Sequence, residues 1–118
     1  MATKQSTIDY ILDQLSSIRN VSARKMFGEY ALYVGTKVVG LICDDALYIK
    51  ITEPGKDFGG INYVEGLPYP GAKPWMKINE EQIEDSDWLG SLVLITAENL
   101  PLPKPKVKKK VKDSMSTT

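Results

Sequence analysis

Val21-Ser22-Ala23-Arg24-Lys25-Met26-Phe27-Gly28 leads directly into Tyr30-Ala31-Leu32-Tyr33-Val34, Val38-Val39-Gly40-Leu41-Ile42-Cys43 and Ala46-Leu47-Tyr48-Ile49-Lys50-Ile51. The last three segments are rich in β-branched and aromatic residues, and Gly35-Thr36 and Asp44-Asp45 separate them. Such residues suit a pleated, half-buried surface, and short links of glycine or aspartate suit tight reverse turns. The stretch therefore reads as a meander of three antiparallel strands, with Arg24 to Phe27 extended ahead of it. Its apolar content is denser than strict alternation requires. Helices are expected to cover one face of the sheet and leave the other to meet a partner.

Upstream, Ile8, Ile11, Leu12, Leu15 and Ile18 recur at intervals of three and four, which predicts a helix over 7–19 with Ser6 or Thr7 as its cap. Downstream, Pro54 suits the first turn of a helix running from Thr52 or Glu53 to about Val64, although Gly55, Gly59 and Gly60 weaken it. Gly66 to Pro74 holds three prolines and two glycines and reads as a loop, followed by a short strand, Trp75-Met76-Lys77-Ile78. Asn79 and Gln82 have capping-box spacing, and Ser86 is placed to cap a further helix that Asn99-Leu100-Pro101 stops. Three prolines and a high density of lysine follow Leu100, so residues 104–118 are expected to be a disordered tail behind a domain at 1–103.

With 118 residues, 42% hydrophobic and 25% charged, the chain has the composition of one globular domain. No apolar run approaches the roughly 20 residues of a membrane span, and no secretory core precedes the first helix, so a cytoplasmic protein with no membrane association is expected. The chain has no histidine and a single cysteine, Cys43. This composition excludes a Cys/His nucleophilic pair, a Ser-His-Asp triad and a histidine-based zinc site within the chain. No tyrosine, lysine or carboxylate pair stands at a spacing diagnostic of a mechanism, so neither catalytic residues nor a cofactor is expected. Asp44-Asp45 offers two hard oxygen ligands, but no further acidic residue lies at a fixed local spacing. The pair reads as a turn rather than a metal site.

The block Val21 to Gly28, together with Tyr30, Leu32-Tyr33-Val34, Leu41-Ile42, Asp44-Asp45, Leu47-Tyr48-Ile49-Lys50 and the Tyr69 to Ile78 segment, resembles the N-terminal domain of the TfoX/Sxy family over roughly residues 7–100. The resemblance implies a two-layer α+β fold, an antiparallel sheet with helices on one face in the order α-β(3)-α-β(2)-α, similar to secretion-chaperone-like domains. It would draw a fifth strand from the region of Pro68 and Tyr69. It also implies an association with regulation of bacterial natural competence. Longer relatives carry a second, helical domain where this chain has its lysine-rich segment.

Arg24, Lys25, Phe27 and Tyr33 are the candidate partner-binding residues: two cations beside an apolar anchor and an aromatic face. In the structural alternative, Met26 and Phe27 fill the core, Gly28 permits a bulge and the charges are solvated. Cys43, next to acidic neighbours at the end of an apolar strand, reads as a small buried hydrophobe. Tyrosines on a sheet beside Arg24 and Lys25 could stack single-stranded bases, but the body is acidic. The last fifteen residues carry a net charge of +5 and the remainder about −5. Lys104, Lys106, Lys108, Lys109, Lys110 and Lys112 form a candidate nucleic-acid contact. If about five of them met phosphates, log affinity would fall against log salt with a slope of roughly −4 to −5.

The leading expectation is a small non-enzymatic binding or regulatory domain acting through a protein partner, with a homodimer as one form. The alternative is an accessory protein associated with nucleic acid through the tail.

Overall fold

The computed structural model describes residues 3–26 and 28–101. The elements are α1 (Gln5–Gln14), β1 (Val21–Met26), β2 (Glu29–Val34), β3 (Lys37–Cys43), β4 (Ala46–Ile49), α2 (Glu53–Gly59), a 3-10 turn (Gly60–Asn62), β5 (Glu65–Gly66), β6 (Trp75–Ile78), α3 (Glu80–Glu84) and α4 (Ser86–Glu98). The strands make one sheet in the order β1-β2-β3-β4-β6-β5, with every neighbouring pair antiparallel. This is the expected α+β architecture.

The strand inventory is larger than expected. Val21–Met26 is a full strand, paired with β2 from Val21↔Val34 to Met26↔Glu29, so four strands precede α2. Propensity understates β1 because it lies at the sheet edge, where serine, arginine and lysine are compatible with a single hydrogen-bonded neighbour. The strand added beyond the meander is Glu65–Gly66, paired with Met76 and Trp75, and not Pro68–Tyr69. Pro68 has no N–H to give a ladder, whereas the Val64 carbonyl accepts from Lys77 N–H at 2.8 Å.

The helix boundaries also depart from local signals. α1 ends at Gln14, well short of Arg19, and Asn20 at φ 66° turns the chain into β1. Neither Ser6 nor Thr7 caps it. Lys4 holds the N-cap position without a side-chain bond, and the Asp45 carboxylate accepts the Lys4 N–H at 2.8 Å. α4 is capped by Asp85, which accepts the Trp88 N–H at 3.0 Å, rather than by Ser86. At its other end Lys37 Nζ donates to the Ala97 carbonyl at 2.6 Å, a cation at the negative pole of the helix. The Asn79–Gln82 capping box forms as expected, and Thr52 caps α2 by accepting from Gly55 N–H at 3.0 Å.

The main core lies between the helices and one face of the sheet. Ile8, Ile11 and Leu15 from the α1 segment and Leu89, Leu92 and Val93 from α4 pack on Leu32, Ile42, Leu47, Ile49 and Met76. Each fully buried aliphatic side chain stabilises the fold by about 1.5–3 kcal/mol relative to an exposed one. A smaller cluster of Ala31, Leu41, Cys43 and Tyr48 occupies the opposite face, and no helix residue belongs to it.

A bulge in β3 explains why apolar residues crowd this strand. The β2–β3 register is Ala31↔Leu41 and Leu32↔Gly40, then slips to Tyr33↔Val38, leaving Val39 as the extra residue. Val39 and Ile42 therefore both face the helices, while Val38 and Leu41 both face away. Gly40 sits in the bulge under tight constraint: a Cβ there would lie 2.5 Å from the Tyr48 backbone oxygen.

Candidate functional site

Strand alternation assigns Arg24, Met26, Ala31, Tyr33, Val38, Leu41, Cys43, Tyr48 and Trp75 to the face without helices. Two cations lie over aromatic rings on this side. The Arg24 guanidinium is 5.2 Å from the Tyr33 ring centroid, and Lys50 Nζ is 5.9 Å from that of Trp75. These are cation–π distances, and they hold flat aromatic surface beside positive charge.

Between these pairs the face sinks into a hollow of about 840 Å³. Leu41, Cys43 and Val38 lie along it, Met26 and Trp75 line it, and Pro68, Tyr69 and Pro70 from the β5–β6 loop complete its wall. Pro68 is buried and Tyr69 is 54% exposed, so the loop is anchored at one residue and presents the next to solvent. Gly66 lets the loop start close to the sheet, since a Cβ there would meet the Tyr48 ring at 3.2 Å and Lys77 Cβ at 3.3 Å. The same stretch exposes further apolar side chains, Ile61, Val64 and Leu67.

One end of the hollow is acidic, with Glu29 and Asp44 on its rim. The Glu29 carboxylate accepts from the Thr3 hydroxyl and from the Asp44 N–H, both neutral donors. Cys43 beside it is buried, and burial followed by the nearby Glu29 charge pushes its thiol pKa up. That environment suppresses the thiolate and leaves Cys43 as an apolar wall. Burial likewise raises the Tyr48 phenol. The arrangement offers surface to bind apolar and aromatic groups.

A second depression adjoins the hollow, and Val38 and Lys50 line both. Its other walls are Tyr33, Thr36, Lys37, Leu100 and Pro101. The last described residue of the chain thus lies at the end of the open face remote from Glu29 and Asp44.

Of the residues singled out from sequence, Arg24 and Tyr33 come together on this face. Lys25 does not join them: it pairs with Tyr30, whose ring packs on the main core, and so alternates to the helix-bearing side. Phe27 and Lys104, Lys106, Lys108, Lys109, Lys110 and Lys112 lie outside the described residues. From sequence, Tyr69 reads only as one of several aromatic faces, and Leu41, Lys50 and Trp75 are not singled out as contacts, because their convergence depends on the β3 bulge and on where the proline-rich loop folds. The only local signal was the apolar density of β3.

The family model described as TfoX N-terminal domain matches residues 13–99. A protein of Spirochaeta aurantia described as an uncharacterized 12.7 kDa protein in the trpE 5′ region is 41% identical over 106 residues, covering 90% of each chain. This chain belongs to the TfoX N-terminal domain family.

Proposed function

We propose that this TfoX N-terminal domain is a small non-enzymatic binding and regulatory module whose open sheet face holds a protein partner. The observation that carries this reading is the apolar hollow bounded by Leu41, Trp75 and Tyr69 and flanked by the Arg24–Tyr33 and Lys50–Trp75 pairs. Interfaces centre on aromatic and arginine anchors set in desolvated pockets. Cytoplasmic action and a part in competence regulation, which the family resemblance implies, belong to the same proposal.

The test is a photo-reactive residue placed at Lys77, which is exposed on the open face, compared with one at Asp87 on α4. A defined crosslinked protein from position 77 alone, lost on Trp75→Ala, is the expected result. Equal or absent crosslinking at both positions overturns the reading. A deletion strain with unchanged transformation frequency removes the competence part.

The lysines of the C-terminal segment support a second reading, a nucleic-acid accessory role. Anisotropy of labelled duplex and single-stranded DNA across a salt series tests it, with a log–log slope near −4 to −5 expected. Unchanged DNA affinity after replacement of the six lysines overturns it.

A further inference from the structure

We propose that the open face is a groove for an extended, proline-rich basic segment, and that residues 102–110 of the same chain are its occupant. The inference rests on the reading of this face as a binding surface and adds what the surface recognises.

Four observations carry it. The described chain ends at Pro101, whose side chain already lines the depression with Tyr33, Val38 and Lys50. That depression borders the apolar hollow, and Val38 and Lys50 line both. The next residues are Leu102-Pro103-Lys104-Pro105-Lys106-Val107-Lys108-Lys109-Lys110. Prolines at every second position prevent a helix and favour the polyproline conformation, which is bound elsewhere in protein chemistry by grooves walled with tyrosine and tryptophan. Here Tyr33, Tyr69 and Trp75 supply those walls.

Charge and length, taken together, are the fourth observation. The far rim of the groove carries Glu29 and Asp44, and among the described residues the hydrogen-bond donors to the Glu29 carboxylate, Thr3 and the Asp44 N–H, are neutral. Val38 and Cys43, at the two ends of the groove, are five residues apart on β3, about 17 Å at roughly 3.3 Å per residue. An extended proline-rich segment rises about 3.1 Å per residue, so six residues beyond Pro101 span about 19 Å. Leu102, Pro103 and Pro105 would then cover Val38, Leu41 and Trp75, and Lys106 to Lys109 would arrive at the two carboxylates. Lys50, the cation in mid-groove, is drawn toward the Trp75 ring.

Solution NMR of the full chain tests this at about 0.05 M and about 0.5 M salt, where screening lengths differ severalfold. The comparison protein is the full chain carrying K106E, K108E, K109E and K110E, changes that lie outside the described residues. The expected result is nuclear Overhauser contacts from the Leu102 and Val107 methyls to Val38, Leu41 or Trp75, weakened by salt and lost in the variant. Modification of Cys43, the single thiol in the groove, is expected to be several-fold faster in the variant.

Absence of those contacts, with open-face resonances coincident in the two proteins, overturns the proposal. Contacts seen only between differently labelled molecules overturn the intramolecular strap and assign the groove to a second copy. If contacts are present and position 77 crosslinks nothing in either protein, the strap stands and the partner reading fails. If position 77 crosslinks a partner and the contacts are absent, the reverse holds.

Discussion

Asp45 caps the first helix from the turn between β3 and β4, 41 residues away: its Oδ1 accepts the Lys4 N–H at 2.8 Å and the Thr7 hydroxyl at 2.9 Å. The turn itself places both Asp44 and Asp45 in the left-handed region, at φ 52° and 62°. Aspartate tolerates that region, and its short side chain reaches back to the amide of a neighbouring element. One residue therefore closes a hairpin and fastens α1 to it.

Replacing Asp45 tests both roles. Asp45→Asn keeps an oxygen acceptor and tolerance of positive φ, so the melting temperature is expected to fall less than for Asp45→Ala. The Lys4 and Thr7 donors hold the Asp45 carboxyl below its ordinary value of 3.8. A depressed folded pKa means that this contribution is present above the unfolded value and is lost as pH falls through the folded one. In thermal melts below pH 4 the gap between wild type and Asp45→Ala should narrow to the part due to positive φ; a constant gap down to the lowest pH would contradict the assignment.

Gly40→Ala is expected to destabilise the fold by about 1–3 kcal/mol, because the added carbon meets backbone and not a movable side-chain tip. Chemical denaturation gives the number. Amide exchange should show the loss concentrated in the β3–β4 ladder, and a neutral result would mean that the bulge adjusts freely.

Leu92 and Leu94 differ by two positions on α4 and by nearly everything else. Leu92 is fully buried and Leu94 is 43% exposed. Leu92→Ala should cost about 2–5 kcal/mol and Leu94→Ala within about 0.5 kcal/mol. Similar costs would show that the helix is rotated from the described packing.

Tyr63 donates its hydroxyl to Glu65, and desolvation together with that carboxylate pushes the phenol up to about 12. An ultraviolet titration should find Tyr63 among the late-ionising tyrosines, with Glu65→Gln bringing it back toward the ordinary value of 10. Since the folded pKa is the higher one, the associated stability is complete below pH 10 and is lost as pH rises toward 12. No change with Glu65→Gln would remove the carboxylate from the account.

Cys43 should resist thiol reagents at neutral pH in the folded protein and react many-fold faster in denaturant, because burial and Glu29 both disfavour the thiolate. Equal rates in both states would mean that the hollow is open to the thiol.

The sequence by itself determined the hairpins, the capping box at Asn79, the core-facing periodicity of Ile8, Ile11 and Leu15, and the family. Each rests on contacts between residues near in sequence or on a pattern whose period is that of the element. The tertiary structure decided β1, whose serine, arginine and lysine form a strand because β2 offers a partner, and the caps at Asp45 and Asp85 in place of Thr7 and Ser86. It decided the site as well: Arg24 and Tyr33 were legible, but Lys25 had to be turned away by its pairing with Tyr30. Leu41 meets Trp75 and Tyr69 because one extra residue at Val39 shifts which β3 side chains face outward and because the proline-rich loop folds against that face. A bulge is a property of two strands in register, and which residue is left over depends on hydrogen bonds across the pair, so no propensity of Val39 alone could announce it.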